Sequence, residues 1–290
     1  MKHYLHFSIV VLLFSLSLPA HSTETPRLIV EGPPALSSTT DRLQQFDISR
    51  IQSIMNLVGI NHLREPIRVI VAPEQSDWAQ QVPTWVSGYA ISQQYLIVVL
   101  PERVMGYPYD SLESLFAHEI AHIVIGQAAG GQSVPRWFDE GLSMVAAHSW
   151  DIEDRARLAW AMMMGNPTTL SDLEQDFHQD RASAHEAYVL SHAFVRYGIQ
   201  QFGNVWPQQL LASLKHGASL QEAFVRTTAQ SLEHVESDFW DEQSLWTNWI
   251  PVFTSSVALW LGILGLAFYV FKKQRQRAEA VQQEWKEEEP

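Results

Sequence analysis

Apolar residues recur along this chain with two periods, and the change from one to the other divides it. Arg27–Glu31, Ile67–Ala72 and Tyr95–Leu100 are short β-rich runs that predict strands. Between the first two, Leu43, Phe46, Ile51, Ile54, Met55 and Val58 fall at helical spacing, which predicts a helix over 41–58 stopped by Gly59. From Asp110 onward the helical period dominates. Asp110 with Glu113 reads as an N-cap pair, so a helix should run to Gln127 or Ala129 and end at Gly130-Gly131. Pro135 can open the next helix, through His148. Further helices are expected near 151–165, 182–202, 205–214, 219–229 and 231–249, with Ser219 and Glu222 as a second capping box. The predicted class is α+β: a small N-terminal mixed sheet with the first long helix, then a helical C-terminal part and one transmembrane helix.

That last element comes from the hydropathy of the chain ends. Val252 to Phe271 holds no charged residue, and 20 helical residues span about 30 Å, the thickness of a bilayer core. Lys272, Lys273, Arg275 and Arg277 follow and favour the cytoplasmic side. At the other end, Lys2 precedes an apolar run from Tyr4 to Leu18 and then small residues, the pattern of a secretory signal. Cleavage after Ala20 and cleavage after Ser22 both suit it. The expected organisation is therefore a signal peptide at 1–22, an extracytoplasmic domain at 23–250, a transmembrane helix at 252–271 and a cytoplasmic tail at 272–290. The location expected is the inner membrane, single-pass, with the domain on the periplasmic side.

Composition narrows the chemistry. Residues 23–250 carry 13 Lys and Arg against 27 Asp and Glu, so no basic face is available for phosphates and nucleic acid is not an expected partner. The chain has no cysteine, which excludes disulfides, thiolate metal sites and a Cys nucleophile. Any metal must be held by His and carboxylates.

Such residues sit in the middle of the predicted long helix. Residues 118–122 read H-E-I-A-H. Positions i and i+4 share a helical face, so His118 and His122 can reach one ion, with Glu119 beside it to act on a metal-bound water. Leu115, Phe116, Ile120, Ile123, Val124 and Ile125 make the helix apolar on most sides. Ionisable groups buried there need a partner, and a metal supplies one. A catalytic zinc site usually takes three protein ligands, and Glu140, in V-P-R-W-F-D-E-G-L-S at 134–143, is the candidate third. The 17 residues from 123 to 139 leave room to finish one helix, turn, and return alongside it.

Together these two segments resemble the gluzincin zinc metallopeptidases, in particular the bacterial peptidase MA-like group. The likeness covers about residues 86–200, and its specific part is confined to 118–143. It implies that His118, His122 and Glu140 bind zinc and that Glu119 is the general base. It also implies that the strand Tyr95–Leu100 lies along the active-site cleft and pairs with an extended substrate. A-Y-V-L-S-H-A-F-V-R-Y, residues 187–197, resembles a later family helix that brings a Tyr to the cleft; Tyr188 is then the candidate oxyanion donor, or else a core residue with a satisfied hydroxyl. Trp137 and Phe138 read as core anchors.

The pattern departs from the family in three places. The 17-residue gap is one or two residues shorter than in the thermolysin-like and aminopeptidase branches. Met144 stands where thermolysin-like enzymes have an Asp that orients a zinc-bound His, leaving Asp139, Ser143 and His148 as replacements. Residues 87–91, S-G-Y-A-I, offer no carboxylate to grip a free amine, which favours an endopeptidase over an aminopeptidase. The reading is a membrane-anchored, zinc-dependent endopeptidase acting on peptides or proteins outside the cytoplasmic membrane. The alternative is a catalytically inactive gluzincin-like binding or assembly module at the membrane. Substrate identity and oligomeric state are not encoded in any pattern found.

Overall fold

A computed structural model describes residues 26–104, 111–147, 152–164, 169–254, 260–273 and 275. The molecule is mostly helical, with one small four-stranded sheet in its first half. Strand β1 (Leu28–Glu31) leads to helices α1 (Ser37–Gln44) and α2 (Ile48–Val58). The expected single helix over 41–58 is two, because Asp47 adopts an extended backbone and caps α2 by accepting from the Ser49 N–H at 2.9 Å. Gly59 ends α2 in the left-handed region, at φ 77°, as read from the sequence.

Strand β2 (Ile67–Val71) is followed by the one-turn helix α3 (Asp77–Gln80), β3 (Gly88–Ile91) and β4 (Leu96–Val99). The sheet order is β1-β2-β4-β3. β1, β2 and β4 run parallel and β3 returns antiparallel, so the sheet is mixed. β4 is buried along its whole length, as the continuous apolar run L-I-V-V requires. β3 is an edge strand that no apolar run predicts.

Helix α4 (Leu112–Ala128) packs under the sheet against β3 and β4 on one side and α2 on another. Ser111, rather than Asp110, supplies the cap by accepting from Ser114 N–H at 3.1 Å; Asp110 lies outside the described residues. Pro135 precedes α5 (Arg136–Ala147), and its carbonyl accepts the N–H groups of Phe138 and Asp139. Then come α6 (Ile152–Met164), α7 (Leu170–Gln179), α8 (Arg181–Phe202), α9 (Trp206–Lys215), α10 (Leu220–Thr228) and α11 (Leu232–Thr254). α7 was not anticipated, although Thr169 and Asp172 form a full capping box at its start. The Ser219–Glu222 box is present on α10.

One continuous core joins the sheet, α4 and the later helices. Trp137 and Phe138 are fully buried in it, Trp137 edge-on to Phe194 and Phe138 edge-on to Trp206. These contacts fasten α5 to α8 and α9.

The expected transmembrane helix over 252–271 needs correction. Among the described residues, no helix is long and apolar enough to cross a membrane. α11 reaches Thr254 but carries Glu233, Glu236, Asp238, Asp241 and Glu242, and the further helical stretch 260–273 is too short on its own. Residues 255–259, the signal segment 1–22 and most of the tail lie outside the described residues.

Candidate active site

Helix α4 places His118 and His122 one turn apart on the face that meets α5, and α5 places Glu140 opposite them. Their ligand atoms form a triangle. Nε2 of His118 and Nε2 of His122 are 3.0 Å apart, and Oε2 of Glu140 lies 3.2 Å from the first and 3.4 Å from the second. His118 is 1 % exposed and Glu140 7 %. This triangle fits a zinc ion: ligands at about 2.0–2.1 Å in tetrahedral array are about 3.3 Å from one another. All three donor atoms lie within 4.8 Å of one another, on a buried imidazole, a partly buried one and a buried carboxylate.

The ligands are themselves held. Nδ1 of His122 lies 3.0 Å from Oδ1 of Asp139 and 3.2 Å from Oγ of Ser143. With the Asp139 carboxylate and the Ser143 hydroxyl both at Nδ1, the ring is held with Nε2 turned toward the metal position. Asp139 and Ser143 thus stand at this ring where Met144 cannot; His148 lies outside the described residues. Ser92, in the turn after β3, donates its hydroxyl to the His122 carbonyl at 3.0 Å and ties the sheet edge to α4.

Electrostatics follow from burial. Burial pulls the His118 imidazole below its ordinary range, and the facing His122 adds to this. Burial also opposes charging of His122, but the carboxylates of Asp139 and Glu140 outweigh it and hold His122 well above that range. Burial likewise works against ionised Glu140, yet His122 and His118 keep its carboxyl far below the usual carboxylate range. Glu119, 2 % exposed, is pushed up to about 8 by burial, against the pull of His122 and with the Glu140 and Asp139 carboxylates adding to the rise. A raised carboxyl near neutrality is what a proton-transferring group requires. Its carboxyl lies against Gly88 of β3: a Cβ there would come 3.4 Å from Oε1.

Tyr188, on α8, reaches the same cleft. Its ring centroid is 6.3 Å from that of His118 and 5.2 Å from that of Phe177. Burial, then the Glu140 carboxylate, holds its phenol well above the ordinary tyrosine range, so it stays a donor. Tyr188 packs against the core and lines the cleft. His192, one turn on, is fully buried and does not line the cleft.

The cleft holds about 350 Å³, with His118, Glu119, His122 and Glu140 along it. The strand that lines it is β3, not the expected Tyr95–Leu100. β4 is paired on both sides, with β2 and β3, and has no free edge. Arg136, Phe177 and Trp85 are among the cleft residues that the sequence pattern did not mark. Arg136 lies one turn before Glu140, with Nε 3.5 Å from its Oε1 and its guanidinium over the Phe177 ring at 4.8 Å. The i, i+4 spacing to Glu140 was the available signal. Phe177 belongs to the unanticipated α7, and Trp85 to a loop, where no periodicity marks a site residue.

A family model described as the Peptidase MA superfamily matches residues 52–249, most of the chain and all of this site. The chain belongs to the Peptidase MA superfamily. A search of curated proteins gave no match. Membership makes the domain a metallopeptidase-like one, suited to peptide or protein substrates, and the His118–His122–Glu140 group is its candidate zinc site.

Proposed function

We propose that this chain is a gluzincin-type, zinc-dependent endopeptidase with Glu119 as general base. One observation carries the reading: two imidazole nitrogens and one carboxylate oxygen form a triangle with 3.0–3.4 Å edges on the floor of a cleft, with a buried glutamate beside it. Zinc held there would polarise a substrate carbonyl and make water acidic enough to lose a proton near neutral pH.

The chain's own residues supply the rest. His118, His122 and Glu140 hold the ion, and Asp139 and Ser143 fix the His122 ring. Glu119 accepts the proton of the attacking water and passes it to the leaving amine. Tyr188 donates its hydroxyl to the oxygen that gains charge during attack. The outer edge of β3, whose only sheet partner among the described residues is β4, offers backbone groups to an extended peptide. A peptide lying there can continue on both sides of His122, since a second cavity adjoins the first beyond that residue. That supports cleavage within chains rather than at their ends.

The basic start and apolar run of residues 1–22 support action outside the cytoplasm. Glu119→Gln tests the reading. The variant should keep one zinc per chain and lose about 10²–10⁴-fold or more in peptide hydrolysis. Undiminished turnover by a clean preparation would remove Glu119 as the base.

A further inference from the structure

The cleft has two parts. Two cavities meet at Ser92, His122 and Asp139, which line both. The one toward Gly126 holds about 340 Å³, with Arg64, Gln93, Gln127 and Gln132 in its lining beside Ile125 and Val134. The one toward Gly88 contains Glu119 and Tyr188, and it is rimmed by Val82, Pro83, Trp85 and Val86, with Phe177 also in its lining. Trp85 is 41 % exposed, a large indole left in water beside the candidate metal centre.

The rim that carries it is fastened. The Arg103 side chain, 7 % exposed, donates to both carboxylate oxygens of Glu74 at 2.6 and 2.8 Å. It also donates to the carbonyls of Ala79, Pro83 and Val86 at 3.0–3.2 Å. The Val86 N–H closes back on the Pro83 carbonyl at 3.0 Å, a tight turn with Thr84 and Trp85 at its tip. Ser87 donates to the Arg103 carbonyl at 2.8 Å. Five guanidinium hydrogen bonds to one loop hold its backbone in place before any ligand arrives, so contact with Trp85 costs little ordering.

Resting on the peptidase reading, we infer that this rim is an apolar side-chain subsite of the cleft, with Trp85 its main contact. The substrate it takes is a peptide with a large apolar residue, aromatic or long aliphatic, on the Gly88 side of the scissile bond. Placing such a side chain against the indole removes apolar surface of both from water, and a preformed apolar pocket beside a few polar groups is how clefts select side chains.

Binding tests this without turnover. The full chain carrying Glu119→Gln, loaded with zinc, is titrated with peptides identical except for one central residue: Phe, Leu, Ala or Glu. Phe and Leu peptides should bind at least about tenfold tighter than Ala and Glu peptides. Adding Trp85→Ala should bring that ratio close to one, and Trp85→Phe should restore most of it. In parallel, the wild-type chain digests a mixed peptide library, and the residues flanking each cut are counted. The preference in binding with no hydrolysis would leave the subsite standing and remove the peptidase reading. Hydrolysis without an apolar preference at either flank, a preference unchanged by Trp85→Ala, or no peptide binding would overturn the subsite.

Discussion

Gly141 follows the candidate ligand Glu140 on α5 and faces the backbone of α8. A Cβ placed on it would stand 2.4 Å from the Ser191 carbonyl oxygen and 2.7 Å from Cγ2 of Val195. Ordinary contact begins at 3.4 Å, so Gly141→Ala forces the two helices about 1 Å apart at this crossing. The obstacle is helix backbone, which has no rotamer to change. Over-packing of this kind costs about 1–3 kcal/mol and more where backbone must move. The better helix propensity of Ala returns up to about 1 kcal/mol, so the net loss should be about 1–3 kcal/mol when α8 resists. For a domain of this size that lowers Tm by roughly 2–10 °C. Tyr188 lies one turn before Ser191 on the displaced helix, so the ring separation of 6.3 Å to His118 should change as well. Differential scanning calorimetry on the zinc-loaded chain, with zinc affinity alongside, is the assay. A Tm equal to or above wild type is what an ordinary helical glycine gives on replacement by Ala, and it would refute the close crossing of α5 and α8 at Glu140.

Asp139→Asn or Ser143→Ala should weaken zinc binding by roughly 10–100-fold without unfolding the chain, read by competition with a chelating dye; unchanged affinity would remove them as supports of His122. Stripping the metal should lower Tm and returning zinc should restore it, since saturation at 100 times Kd contributes about 2.7 kcal/mol. Arg103→Ala should lower Tm and expose the loop 73–87 to proteolysis. Its effect should depend on pH: the Arg103 hydrogen bond depresses the Glu74 carboxyl below 4.5 in the folded chain. That stabilisation is complete above the unfolded value and is lost as pH falls through the depressed one, so wild type and variant should converge in acid. A gap that widens toward low pH would contradict the pairing.

What could be read in the sequence was what neighbours in the chain decide. The i, i+4 histidines, the apolar flanks of α4 and the opening of α5 by Pro135 are local, and they mark His118, His122 and Glu140, which the fold brings together as a candidate metal group. β1, β2 and β4 stood out because each is a run of branched apolar residues. β3 did not, since G-Y-A-I has little strand character and becomes a strand by pairing with β4. The cleft edge was for that reason assigned to the wrong strand. The break between α1 and α2 rests on one cap, Asp47, and the existence of α7 on another, Thr169 with Asp172; both signals were present and were outweighed by periodicity. Trp85, Arg136 and Phe177 reach the cleft from a loop and two helices, a convergence that spacing cannot encode. The run 252–271 shows the opposite failure: hydropathy alone proposed one spanning helix where the described helices supply none of the required length and apolarity.

The account turns on His118, His122 and Glu140 sharing one ion. Metal analysis of the purified chain, with X-ray absorption at the zinc edge, tests this directly. One zinc per chain is expected, with two nitrogen ligands and a carboxylate oxygen at about 2.0–2.2 Å, and Glu140→Ala should lower the affinity sharply. No bound zinc, or zinc held as firmly after Glu140→Ala, would contradict it.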